Sequence, residues 1–400
     1  MKIWIVYPEL NQPGGVNTWV ENTISGFRHL GHTVDLTYAT MHGKMNVSPT
    51  QYTKTGGKMR HDDRLPADCM AYGNENALLE YSDRSRNYDI VMFAHPGPHP
   101  TKSYLKSDPN MLWKQLYERL QVPCVVVFHD DGWKDTNPWI TDVAPHIDGI
   151  LAAQSRFYGY LLQDKPFPMQ ESCLAAWDYQ PIVPVGNIGM YDNDKYTNPR
   201  TVVTLAQWVG WKNYNILIRQ LRGVYSFACH LHGTGIEYYY QRKTDEWKCA
   251  IGFDMAQHVW YNRNSPHVYE GYMSYRSVPL VLQHASVAVD ASTRGRENMG
   301  MIEPMAYGCV SVVTSEAMAS SPYQKLTEDV VVAVPSDMLV DAIEDVCLNY
   351  TLYHRERENA LEYVRKHHTI EAVSSRIIKM FEMVLDGESG QIGGLGDYLA

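Results

Sequence analysis

The chain repeats one rhythm twice: a short apolar run rich in β-branched residues, then a stretch whose apolar residues recur at helical spacing. In the first half the runs fall at 3–7, 33–38, 89–94, 124–128, 149–153 and 182–185. After Asn198-Pro199 the rhythm restarts, at 202–206, 226–231, 268–270, 286–290, 310–314 and 330–334. Short strands that are apolar throughout, rather than alternating, belong to parallel sheets covered by helices on both faces. Between the first two runs Val16, Val20, Ile24, Phe27 and Leu30 share a helical face, and Gly31 stands where a C-cap glycine would end that helix.

The expected fold is therefore α/β: two Rossmann-like doubly wound domains facing a cleft. A length of 400 residues suits two cores better than one. The expected division is 1–195, an acceptor-side domain, and 196–370, a nucleotide-sugar-binding domain. An amphipathic helix at 371–385 would pack back toward the first domain, and 386–400 would be a flexible tail.

Charge narrows the partners. A net charge of −10 argues against a protein coated with basic residues for nucleic acid, while leaving room for one local patch. The segment 40–64 is such a patch: Lys44, Lys54, Lys58, Arg60 and Arg64 stand against Asp62 and Asp63. It reads either as a solvated loop or as a contact surface for an acidic acceptor. None of the seven cysteines forms a C-x-x-C pair, which points to a reducing, cytoplasmic compartment. Cys124, Cys229, Cys309 and Cys347 lie in apolar runs and read as small core residues. No apolar stretch approaches the length of a membrane span, and the start of the sequence reads as a strand rather than a signal peptide.

Three strand ends carry polar chemistry. The first run leads into Gly14-Gly15 and a helix, where bare backbone and free N–H groups can approach a phosphate. The run 124–128 ends in His129-Asp130-Asp131, at the edge of the sheet where α/β proteins bind ligands. Such groups can orient a sugar hydroxyl or take its proton. His95 and His99 invite the same argument, but no zinc-type spacing accompanies them, and no metal is expected. In the second half Lys212 follows the first strand, placed to neutralise a diphosphate. Beyond Asp290 a polar loop leads to a short apolar helix that contains Glu303 and ends at Gly308. A glutamate in such a helix needs partners, and a ribose diol supplies two hydroxyls.

The Gly14-Gly15 turn, Lys212 and the block from Glu297 to Gly308 together resemble the retaining glycosyltransferases of the GT-B superfamily. Glu297-Asn298-Met299-Gly300 is similar to that family's E-G-F-G, and Glu303-Pro304-Met305-Ala306-Tyr307-Gly308 to its E-A-M-A-x-G. The resemblance implies a UDP-sugar donor, with Glu297 on the donor sugar, Glu303 on the ribose, and no required metal. Two features depart from the family. Its glutamates stand eight apart, whereas Glu297 and Glu303 are six apart, and its usual arginine before the lysine is Gln207 here. Arg294 or Arg296 would have to supply the missing charge, beside Asn298, Met299 and Gly300.

A narrower likeness joins the helix 353–363, the compressed glutamate spacing and the strand ending in His129 and Asp130 or Asp131. These resemble the T-even phage DNA α-glucosyltransferases, which modify 5-hydroxymethylcytosine. The favoured acceptor is then a 5-hydroxymethylated pyrimidine in phage DNA, held through the 44–64 loop. A glycan, lipid or small molecule is the alternative acceptor. A non-catalytic nucleotide or glycan binder and a sugar-nucleotide epimerase are the other readings of the same scaffold.

Overall fold

The computed structural model describes residues 1–7, 15–39, 70–72, 82–97, 109–129, 138–152, 173–176, 181–190, 200–205, 212–232, 265–271, 277–293, 299–319, 329–388 and 390–392. They form two compact units. One runs to Pro181 and resumes at Ile370, and the other holds Ile182–Thr369.

The first unit is built on a sheet of eight parallel strands. They are β1 (Lys2–Tyr7), β2 (Thr33–Ala39), β3 (Met70–Tyr72), β4 (Ile90–Phe93), β5 (Cys124–Phe128), β6 (Gly149–Ala152), β7 (Cys173–Ala176) and β14 (Gly390–Ile392). Their spatial order is β14-β7-β6-β5-β4-β1-β2-β3, so the winding reverses between β1 and β4. The strands are apolar on both faces because both faces are covered. Ile3, Ile5, Val125 and Val127 pack on one side with α1 (Gly15–His29) and the C-terminal helix Ile370–Leu385. Trp4, Val6, Val126 and Phe128 pack on the other with α2 (Pro109–Glu118) and the 3-10 turns Pro138–His146.

Helix α1 ends as its sequence requires. Gly31 takes a positive φ of 85°, and His32 N–H donates to Phe27 O at 3.0 Å, closing the helix with a glycine cap. On its buried side Gly26 lets the C-terminal helix come close: a Cβ there would lie 1.9 Å from Ser374 Oγ. Gly26→Val should destabilise the first unit by roughly 1–3 kcal/mol through overpacking. Thermal unfolding would show this as a lowered transition, and an unchanged transition would mean that the two helices can part at little cost.

The second unit has six parallel strands: β8 (Thr201–Leu205), β9 (Ala228–His232), β10 (Val268–Gly271), β11 (Val287–Asp290), β12 (Val310–Thr314) and β13 (Val332–Val334). Their order is β10-β9-β8-β11-β12-β13, with the reversal between β8 and β11. On one face lie α3 (Tyr214–Gln220) and α7 (Leu339–Leu348). On the other lie α4 (Val278–His284), α5 (Met299–Ala306) and α8 (His354–His367). The short α6 (Ser315–Ala319) follows β12, and α9 is the helix Ile370–Leu385 that belongs to the first unit. Cys124, Cys229, Cys309 and Cys347 are buried free thiols, as their apolar context suggests.

Two expectations need correction. The run 182–185 is not a strand of the first sheet. Val183 makes one isolated bridge to Thr369, Ile182 N–H donates to His368 O at 2.9 Å, and Val185–Asn187 is a 3-10 turn. Pro181 and Pro184 flank Ile182-Val183 and remove ladder donors, so these apolar residues serve the second core instead. Residues 386–400 are also not wholly a tail, since Gly390–Ile392 adds to the edge of the first sheet beside β7. Among the described residues no helix is long and apolar enough to cross a membrane.

Candidate functional site

In an open parallel sheet the helix connections run to opposite sides at the point where the strand order reverses, which leaves a crevice at the carboxyl ends of the two strands. In the second unit those strands are β8 and β11. Asp290 is the last residue of β11, and Lys212 lies just before α3, in the connection that leaves β8. Both are buried, at 5% and 6% exposure. Burial pulls the Lys212 ammonium down to about 8, and the Asp290 carboxylate works against that pull. Tyr214, two residues on, is held protonated by its own burial and by Asp290, while the Thr204 side chain works the other way.

Asp290 is itself held in place. Ser292 N–H donates to Asp290 Oδ1 at 3.0 Å, and Ser292 Oγ donates to the same oxygen. The Ser292 carbonyl accepts from Thr314 Oγ1 at the end of β12, and Thr314 Oγ1 accepts from Ala317 N–H at 3.0 Å, capping α6. Asp290, Ser292 and Thr314 thus form a chain of buried hydrogen bonds along the strand ends.

Glu303 lies on α5 and is 5% exposed. The helix ends one turn later at Gly308, whose φ is 69°. Cys309 N–H donates to Pro304 O at 3.2 Å and Gly308 N–H to Met305 O at 3.0 Å, the double bond of a glycine-capped terminus. Tyr307 follows Glu303 by one helical turn. Burial and then the Glu303 carboxylate push its hydroxyl up to about 12, while a side-chain bond to Asn187 works the other way. Gly189 N–H also donates to Ala306 O at 2.9 Å, so the segment from Ile182 braces the glutamate's helix. Met299 and Gly300 form the first turn of α5 and are partly exposed. Arg294, Arg296, Glu297 and Asn298 lie outside the described residues.

In the first unit His129 follows β5 and is 6% exposed. Its Nε2 lies 3.0 Å from Ala94 O, at the end of the neighbouring β4, and its ring meets Trp19 of α1 edge-on at 5.0 Å. Burial, then the nearby His95, lower its pKa to about 3, against the pull of the Ala94 bond. At neutral pH the ring is uncharged. The carbonyl partner requires the proton on Nε2, which leaves the lone pair on Nδ1. His95 is pinned in turn, with Nδ1 at 2.6 Å from Gly97 O. Gly15 begins α1, while Gly14, His99, Asp130, Asp131 and the 44–64 loop lie outside the described residues. Among the described residues no three His, Cys, Asp or Glu side chains converge as a metal site.

The structure thus gives Lys212 a buried, charge-compensated position at the switch point and Glu303 a buried position on the next helix but one. Sequence reasoning did not assign roles to Asp290, Ser292, Thr314, Tyr307 or Asn187. A strand ending in Asp with Ser two residues later was the one available signal.

No protein-family model matches the chain, and no curated protein sequence does. Solved structures do resemble it. An α-glucosyltransferase in complex with UDP and a 13-mer DNA containing an HMU base aligns with a TM-score of 0.71 at 13% identity, over 96% of this chain and 99% of that one. HepE from Anabaena, in complex with UDP and glucose, aligns at 0.67 and 12% identity over 96% and 99%. Sucrose-phosphate synthase from Thermosynechococcus elongatus aligns at 0.64 and 13% over 97% and 100%. With the second sheet wound in the order 3-2-1-4-5-6, the first wound the same way before two further edge strands, and likeness along nearly its whole length to these structures, the chain has the GT-B fold.

Proposed function

We propose that the protein is a glycosyltransferase that moves a sugar from a UDP-sugar to an acceptor hydroxyl with retention of anomeric configuration. The observation that carries this reading is the pair of buried charged groups in the second unit, Lys212 beside the β8–β11 switch point and Glu303 on α5. Charged groups withdrawn from water interact strongly with a complementary ligand, and a nucleoside diphosphate offers a complement to each. Its phosphates suit the lysine and its ribose hydroxyls suit the glutamate. Likeness in fold to structures holding UDP supports the same donor.

In this reading Lys212, Arg294 and Arg296, together with the N–H groups at the start of α5, balance the charge that grows on the leaving diphosphate. Glu297, Asn298, Met299 and Gly300 line the donor sugar. The transition state is oxocarbenium-like, as in glycoside hydrolysis. His129 orients the acceptor rather than taking its proton, since a ring held neutral by burial and tied to Ala94 is a weak proton acceptor. Proton removal then falls to Asp130, Asp131 or the leaving phosphate. The groups at hand require no metal.

The favoured acceptor is a 5-hydroxymethylated pyrimidine in duplex DNA, contacted through Lys44–Arg64 region cations such as Lys54, Lys58 and Arg60. A glycan, lipid or small-molecule acceptor is the second reading, favoured by the net charge of −10. Duplex DNA carrying 5-hydroxymethylcytosine, incubated with a panel of nucleotide sugars and analysed by mass spectrometry, separates them. One added glycosyl mass on the DNA is the expected result. Transfer to glycans or lipids but to no DNA would select the second acceptor class. Donor binding without any chemistry would mark a binder, and donor isomerisation an epimerase.

A further inference from the structure

We propose that Asp290 is a positioning residue for Lys212, and that the Asp290–Ser292–Thr314 chain exists to hold the diphosphate lysine aimed and charged. The inference rests on the reading of Lys212 as the donor's diphosphate partner. The register of β8 and β11 pairs Val202 with Val287 and Val203 with Ala288, so Asp290 ends the strand beside the one whose connection carries Lys212. Both side chains are withdrawn from water.

A carboxylate at this place works against phosphate binding, because it repels the ligand. Its value lies in the charge state of the lysine that meets the donor. A lysine withdrawn from water loses its proton more readily, and an uncharged amine attracts no phosphate. Asp290 opposes that loss. Its own charge is spread onto two donors of Ser292, and Thr314 fixes the Ser292 backbone between the ends of β11 and β12. A hydrogen-bonded, aimed carboxylate keeps the ammonium charged without relying on solvent. When the donor arrives, its phosphates take over as the counter-charge.

Among the described elements Tyr214 of α3 is held protonated, and the charge that opposes the burial of Lys212 is that of Asp290 at the end of β11. Removing that charge should therefore move the pH at which UDP affinity falls, not simply lower affinity everywhere.

The experiment follows UDP binding by calorimetry from pH 6 to 10 in the full-length protein, with Asp290→Asn, Asp290→Glu and Lys212→Met compared with the wild type. In wild type the affinity should decline above about pH 8, where Lys212 loses its proton. In Asp290→Asn the decline should begin roughly one pH unit lower, the size of shift a close counter-charge gives. At pH 6 that variant should bind UDP as well as wild type or better, because a repelling charge is gone. Asp290→Glu should restore the original midpoint. An unchanged midpoint in a folded Asp290→Asn protein overturns the proposal. Should Asp290→Asn fail to fold, Ser292→Ala and Thr314→Val replace it: both keep the charge but loosen its aim. A decline in UDP affinity that begins at lower pH than in wild type supports the proposal, and wild-type profiles in both overturn it. The underlying reading fails separately, if Lys212→Met binds UDP like wild type.

Discussion

Lys212→Met should weaken UDP binding by about two orders of magnitude at pH 7, the loss of about 3 kcal/mol typical when one partner of a desolvated charge pair is removed. The variant keeps the length and apolar stem of the side chain, so the loss reports the charge. Two pH effects of opposite sign accompany it. The Lys212 ammonium is held near 8 in the folded protein and at its ordinary value of 10.5 when unfolded. Between those values the unfolded chain binds more protons, so this group's contribution to stability rises with pH from about 8 to 10.5. Below that window the folded state carries the full burden of the buried charge. UDP affinity runs the other way, strong while the amine is protonated and declining above about pH 8. The thermal shift produced by saturating UDP should therefore shrink as pH rises from 7 to 9.5 in wild type, and be small and flat in Lys212→Met. A thermal shift independent of pH in wild type would mean that the ammonium does not meet the phosphates.

The same residues show how much of the molecule can be read from its sequence. Strands such as Lys2–Tyr7, Cys124–Phe128 and Val310–Thr314 are legible because they are apolar on both faces, and they are apolar because helices cover both faces. β7 escapes this logic, since Cys-Leu-Ala-Ala has no β-branched residue to mark it. β3 and β14 are three residues each at the two edges of the sheet, and their ladders rather than their side chains define them. The run 182–185 misleads for the opposite reason: it is apolar because a core needs it, yet two prolines deny it a ladder. At the site, Lys212 and Glu303 stand out locally, as charges set among apolar neighbours. The role of Asp290 does not, because it depends on β8 and β11 being neighbours although 81 residues separate Leu205 from Val287. Nor does sequence reveal that His129 is an uncharged ring with its proton on Nε2, which follows from burial and from one carbonyl on the adjacent strand.

Glu303→Ala should abolish measurable sugar transfer and, more tellingly, erase the protein's distinction between UDP and 2′-deoxy-UDP. Glu303 is withdrawn from water on a helix whose far end is fixed by the Gly308 cap and the Gly189–Ala306 bond. A carboxylate so placed gains most when it accepts hydrogen bonds, and each bond to a charged group is worth about 1.5–3 kcal/mol. If a ribose diol supplies two of them, wild type should prefer UDP over its 2′-deoxy analogue by about tenfold to a hundredfold, the value of one such bond. In Glu303→Ala both ligands should bind equally and weakly. Glu303→Gln retains the shape but gives up the charge, so it should keep a reduced preference. Comparing the two ligands in the two proteins isolates the contact between carboxylate and hydroxyl from any general loosening of α5, because loosening weakens both ligands alike. Tyr307 offers an internal check. Its hydroxyl is pushed up to about 12 by burial and by the Glu303 charge, so removing that charge should lower its titration midpoint in an ultraviolet pH titration. If Glu303→Ala lowers the tyrosine midpoint but leaves the UDP preference intact, the carboxylate is charged and buried as described and the ribose is held by another group.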